Sequence, residues 1–190
     1  MELGGGLQMI NIKARTVCFT GHRALPAEEL PEISRCLEDT LITLIEQGYC
    51  YFGAGGALGF DTLTAQTVLR LRERYPQVRL ILVLPCYEQT RGWPQSNIDT
   101  YEDIKRRADK VAYTAETYFR GCMQKRNRHL VHNSNVCVCY LTKSTGGTAY
   151  TVNYARRMGL RVINIAETAI CEKLPGCSRN GEQPGSFSSR

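Results

Sequence analysis

Three stretches of this chain combine glycines with polar or charged residues, and a fourth clusters basic ones, in a way that suits anion binding. The first is Thr20-Gly21-His22-Arg23. A glycine lets the backbone approach a ligand closely, and the adjoining hydroxyl, imidazole and guanidinium are donors to an anion. The second is Gly53-Ala54-Gly55-Gly56-Ala57-Leu58-Gly59-Phe60-Asp61, and the third is Ser144-Thr145-Gly146-Gly147-Thr148. Each of these two ends where a helical pattern begins. Glycines ahead of a helix leave its first N–H groups unpaired and aimed outward, the general recipe for a phosphate cradle. Thr145 and Thr148 add hydroxyls. The glycine stretch lacks the lysine of a P-loop and does not follow the first strand as a dinucleotide fingerprint would. Asp61 fits a helix cap or a ribose hydroxyl equally well. The fourth stretch is Met123-Gln124-Lys125-Arg126-Asn127-Arg128, in which Arg126 is placed to reach a phosphate or a ribose. The plain alternative is a set of ordinary tight turns and a solvated helix face.

Other residues carry less chemistry. His129 and His132 stand three apart and can share a helix face, but no third residue at metal-ligand spacing accompanies them. No metal and no obligatory cofactor is expected. The nine cysteines contain no Cys-x-x-Cys pair. Several, such as Cys137 and Cys139, lie in apolar runs where cysteine acts as a small hydrophobe. Reduced thiols in a cytoplasmic protein are the expectation. Trp93 and Tyr118 are candidates for stacking on a base.

These loops need rigid elements to hold them, and two periodicities alternate along the chain. Short apolar or β-branched runs at 15–20, 49–52, 79–84, 110–114, 135–141 and 160–165 predict six strands. Helical spacing predicts helices over 28–47, 60–75, 101–108, 121–132 and 148–158, with a long loop at 86–98. Continuously apolar strands alternating with helices predict an α/β, Rossmann-like three-layer domain with a mostly parallel sheet of about six strands. In such sheets ligands bind beyond the carboxyl ends of the strands, where the glycine loops fall. Residues 1–14 read as a flexible leader, 15–166 as the domain and 167–190 as a disordered tail rich in Gly, Ser and Pro.

Bulk properties fit one domain. The chain has 190 residues, 43% hydrophobic and 22% charged. No apolar run approaches the roughly 20 residues that span a bilayer, so no membrane association is expected. The net charge is +6. Residues 105–128 hold eight Lys and Arg against Asp109 and Glu116, a local field that draws anions. Phosphate on a small ligand or a nucleic-acid backbone would satisfy it.

Taken together, Thr20-Gly21-His22-Arg23, Gly55-Gly56-x-x-Gly59-x-Asp61, Trp93 and Ser144-x-Gly146-Gly147-Thr148 resemble the YpsA-like branch of the SLOG superfamily. The resemblance covers roughly residues 15–165. It implies a Rossmann-like fold and a nucleotide-derived ligand, ADP-ribose or a similar molecule. The superfamily also includes the lonely-guy phosphoribohydrolases, whose arginine Arg126 resembles. Their Pro-Gly-Gly-x-Gly-Thr loop and following glutamate are altered here. Thr145 stands for the proline, Ala149 for the third glycine and Asn153 for the glutamate. Asn153 cannot act as a base, which leaves Asp61 and Arg126 as the catalytic candidates.

The expectation is therefore binding or sensing of a nucleotide-derived ligand such as ADP-ribose or NAD. The ligand would touch Thr20, Gly21, His22, Arg23, Gly55, Gly56, Gly59, Asp61, Trp93, Arg126, Thr145, Gly146, Gly147 and Thr148. The alternatives are an N-glycosidase or phosphoribohydrolase acting on a nucleotide and a single-stranded nucleic-acid binder. A homodimer is open, with no seam legible in the sequence.

Overall fold

Strands β1 (Thr16–Gly21), β2 (Tyr51–Ala54), β3 (Arg79–Leu84), β4 (Lys110–Tyr113), β5 (Val136–Tyr140) and β6 (Arg161–Asn164) form one sheet in the order β4-β3-β2-β1-β5-β6. Every pair is parallel. The helices are α1 (Leu30–Glu46), α2 (Phe60–Arg74), α3 (Gln95–Arg107), α4 (Cys122–His132) and α5 (Gly147–Arg157). This computed structural model describes residues 11–167. The expected tail and most of the leader lie outside the described residues, as do Cys171 and Cys177. Residues 11–14, read as leader, enter a 3-10 turn over Lys13–Arg15, closed by the Thr16 hydroxyl donating to the Ile12 carbonyl at 2.6 Å.

The fold is the α/β Rossmann-like architecture that the alternating periodicities imply. Strand side chains point alternately to the two faces, and the two faces differ. Val17, Phe19, Phe52, Leu80, Leu82, Leu84, Val136 and Val138 pack with α1, α2 and α3 in the larger core cluster. On α1 the residues Ile33, Leu37, Leu41 and Leu44 recur at helical spacing and are fully buried in it. The opposite face uses smaller groups, with Cys18 and Cys137 against Leu130 and Val131 of α4 and Ala155 of α5. Cys18 and Cys137 are aligned on adjacent strands, and the seven cysteines of the described residues are all buried and form no disulfide with one another. Cys18 and Cys137 fill space where α4 and α5 approach the sheet.

Two boundaries differ from the sequence expectation. The loop at 86–98 is shorter than expected, because α3 begins at Gln95, directly after Pro94. Its first turn is polar and exposed, so no apolar periodicity marks it. Strand β2 runs on through Gly53 and Ala54, which composition alone assigned to the turn.

The strand order places β1 beside β5, with β2, β3 and β4 on one side and β6 on the other. The connections leaving β1 and β5 diverge here, which opens a crevice at the carboxyl ends of the strands.

Candidate functional site

A cavity of about 280 Å³ occupies that crevice. It is lined by Thr20, Gly21, His22 and Arg23 after β1, Ala57 and Asp61 at the start of α2, Met123, Arg126 and Asn127 on α4, and Gly147 and Thr148 on α5. Three helices thus point their N-termini toward one space. Each is preceded by a glycine, Gly59, Gly121 or Gly146, and none has a side-chain cap. Uncapped helix starts carry unpaired N–H groups and the positive end of the helix dipole.

Asp61 and Arg126 meet inside the site. Arg126 Nη1 lies 3.5 Å from Asp61 Oδ2, with the side chains 6% and 9% exposed. Asp61 Oδ2 also accepts the Ala57 N–H at 3.3 Å, so the carboxylate ties the glycine turn to α2. Burial pushes the Asp61 carboxyl above its ordinary value, against the pull of Arg126, the Ala57 and Gly55 amides and Arg23. Burial likewise lowers Arg126, opposed first by Asp61. A guanidinium stays charged in proteins, so Arg126 brings a buried positive charge to the pair. The pair is incomplete, because Arg126 Nε and Nη1 have no hydrogen-bond partner.

Gly55 and Gly59 are among the glycines required by close approach. A Cβ on Gly55 would fall 1.4 Å from Arg126 Nη1, so only glycine lets the guanidinium lie over this turn. Gly59 adopts φ +76°, and a Cβ there would stand 2.3 Å from the Arg23 carbonyl oxygen. It clamps the loop after β1 onto the start of α2, where the Phe60 N–H donates to the His22 carbonyl at 3.1 Å. Gly147 is different. Nothing lies within 4 Å of where its Cβ would be, so the start of α5 is open to whatever enters the cavity.

The expected roles divide accordingly. Arg23, Gly147, Thr148 and Arg126 line the cavity with donors or open backbone. Gly55 and Gly59 shape it without lining it. Gly56 is turned toward Leu84, Tyr101 and Gln89. Thr145 and Gly146 are exposed on the loop before α5. His22 was expected as a charged donor and is instead an acceptor. Its Nε2 takes the Thr142 N–H at 3.1 Å, and burial together with Lys143 holds the ring below its ordinary value. That bond links the loops after β1 and β5. Trp93 does not line the cavity. It packs edge-on against Tyr101 at 5.8 Å on the α3 side, which removes it as a base-stacking group there.

Sequence reasoning missed two contributors. Gln89 is buried and donates through Nε2 to the carbonyls of Gly56 at 2.6 Å and Gly55 at 3.3 Å. It lies in what reads as an undistinguished loop, and no local signal marks it. Asn127 donates to the Thr151 hydroxyl at 2.8 Å, which donates to the Gly147 carbonyl at 2.9 Å. This chain fixes α4 relative to the first turn of α5. Asn153, at the position of the phosphoribohydrolase glutamate, faces a separate recess with Arg156, Asn164 and Glu167.

A Rossmann-like sheet with a glycine-opened pocket at its switch point defines the class. The chain belongs to the YspA SLOG family (YpsA), whose sequence model matches residues 18–165. UPF0398 protein BH1768 of Halalkalibacterium halodurans is 29% identical over 128 residues, covering 66% of this chain and 68% of that protein. Among solved structures, DNA processing protein A of Streptococcus pneumoniae aligns with a TM-score of 0.61 at 17% identity, over 86% of this chain and 58% of its own. The Helicobacter pylori protein of the same name, which has a single-stranded DNA binding mode, aligns with a TM-score of 0.56 at 16% identity, over 80% of this chain and 66% of its own. At these identities the likeness is one of fold. Among the described residues, no helix is long and apolar enough to cross a membrane.

Proposed function

We propose that this protein binds a phosphate-bearing, nucleotide-derived small molecule of the ADP-ribose or NAD type, as a cytoplasmic sensor or carrier. The phosphate would sit between Arg126 and the first turn of α5. One observation carries this reading: a guanidinium 5% exposed, with Nε and Nη1 unpartnered, lines a cavity under an open helix start. A buried donor without a partner is costly, and an anion that draws the guanidinium toward the cavity would supply one. A cavity of about 280 Å³ is near the lower end for ligand sites, suited to a phosphate and its sugar. The remainder of the ligand would lie over the adjoining recess of Leu25, Pro26, Glu29 and Tyr140, which shares His22 and Arg23 as its wall.

Binding is favoured over N-glycoside hydrolysis. Asp61 is tied to Arg126 and to the Ala57 amide, and the neutral Asn153 lies in a different recess. The single-stranded DNA binding of the H. pylori protein raises a strand as an alternative occupant. The small cavity of about 280 Å³ around Arg126 favours the phosphate of a small molecule over a continuous strand.

The test is a thermal-shift screen against ADP-ribose, NAD, AMP and cyclic nucleotides, with each mixture run on chromatography. A bound ligand raises the melting temperature by mass action. At least one such shift without new products is expected. Release of base or ribose phosphate would make the protein a hydrolase, and no shift with any member would overturn the reading.

A further inference from the structure

A second feature lies outside the pocket. From Thr117 to Ala166 the chain carries eight of its 24 Lys and Arg and none of its 18 Asp and Glu. This stretch contains both α4 and α5, the two helices on one face of the sheet. The remainder of the chain therefore holds more carboxylates than cations, and the positive charge belongs to this face.

Aromatic rings stand among these cations. Tyr118 is 65% exposed, Phe119 43% and Tyr150 37%. Lys125 lies 5.9 Å from the Phe119 ring centroid, and Arg128 of α4 lies 6.0 Å from that of Tyr150 on α5. Tyr150 stacks with Tyr154 at 6.4 Å and an interplanar angle of 9°. Arg157 lies 5.8 Å from the Tyr154 ring, and His132 reaches the Tyr154 hydroxyl at 2.5 Å. Rings and cations thus alternate across α4 and α5. Beyond His132, the sheet-side groove under α4 is lined by Lys13, Lys110 and His129 with no carboxylate.

We propose that the α4–α5 face binds single-stranded nucleic acid, with bases stacking on Tyr118, Phe119 and Tyr150 and phosphodiesters meeting Lys125, Arg128 and Arg157. Cations that track a backbone, interleaved with exposed rings, are what unpaired bases require. A duplex offers no free base faces to these rings. A second copy of the same face would bring like charge against like charge. The proposal does not depend on the small-molecule pocket, whose phosphate group sits at Arg126.

The experiment is fluorescence anisotropy on the full chain with a labelled, 5′-unphosphorylated oligo(dT), the matching oligo(U) and a duplex of equal length, each across a salt series. Binding to a single strand is expected to weaken linearly on a log–log salt plot and to exceed duplex binding. The tighter of the two single strands identifies the sugar. Phe119→Ala and Tyr150→Ala keep every charge, and their side chains are exposed enough for the fold to persist, as melting temperature would verify. Each should lower affinity at least about fivefold. Lys125→Ala with Arg128→Ala should reduce the salt slope. Gly147→Asp should bind the oligonucleotide within about twofold of the parent protein.

Several results would each overturn the proposal. They are no oligonucleotide binding at low salt, equal or tighter duplex binding, affinity unchanged by the ring variants, and capture by vesicles of anionic lipid in place of oligonucleotide. Loss of strand binding in Gly147→Asp would also overturn it, because it would move the strand into the pocket.

Discussion

The guanidinium of Arg126 lies so close over Gly55 that a Cβ there would fall 1.4 Å from Nη1. The glycine is therefore part of the arginine's binding groove. Gly55→Ala is expected to displace Arg126, to weaken phosphate-ligand affinity at least about tenfold and to destabilise the fold by about 1–3 kcal/mol through overpacking. Calorimetric titration and urea unfolding read the two effects. An unchanged affinity would mean that Arg126 is not held by this contact.

The Asp61–Arg126 pair should show strong coupling. Arg126→Leu leaves a buried carboxylate without its counter-charge, at an expected cost of about 3–5 kcal/mol. Adding Asp61→Asn removes that charge and should recover part of the loss. A double-mutant cycle in urea measures the coupling, and additive losses would contradict a shared ion pair.

Much of this site is legible in the sequence, for physical reasons. Glycines ahead of a helical pattern mark an open helix start wherever they occur, so Gly55, Gly59 and Gly147 stand out by type and position. The six strands announce themselves by apolar runs. What is not legible depends on tertiary contact. Nothing local distinguishes Gln89, whose role exists only because the loop after β3 folds over the carbonyls of Gly55 and Gly56. Trp93 draws notice by its rarity, yet its position against Tyr101 is set by where α3 begins. His22 is correctly located but misjudged in charge, because the partner that fixes its tautomer, the Thr142 amide, lies 120 residues away.

His22 should give the protein an acid sensitivity. Its folded-state value lies below the ordinary 6.5, so the unfolded chain binds a proton more readily than the folded one. Stability from this group is fully present above about pH 6.5 and falls as pH drops below it toward the folded value. Protonation also removes the acceptor for the Thr142 N–H. The melting temperature of the parent protein should fall on acidification from pH 7 to 5, and His22→Gln should flatten this component. An identical slope in the variant would assign the effect to other groups.

Gln89→Leu should leave the Gly55 and Gly56 carbonyls without their side-chain donor. Buried acceptors left unpaired cost about 1–3 kcal/mol, so chemical denaturation should show a loss of that order. A variant as stable as the parent would show that the contact is dispensable.

The central claim is that a phosphate sits at the start of α5 beside Arg126, and Gly147→Asp tests it most directly. The added side chain has open space to enter, since nothing stands within 4 Å of the Cβ position, so the fold should persist. Its carboxylate would occupy the anion site and repel a phosphate. In calorimetric titrations with ADP-ribose and AMP, the ligand bound by the parent protein should not bind a Gly147→Asp variant that melts at the same temperature. Full affinity in that folded variant would contradict the account.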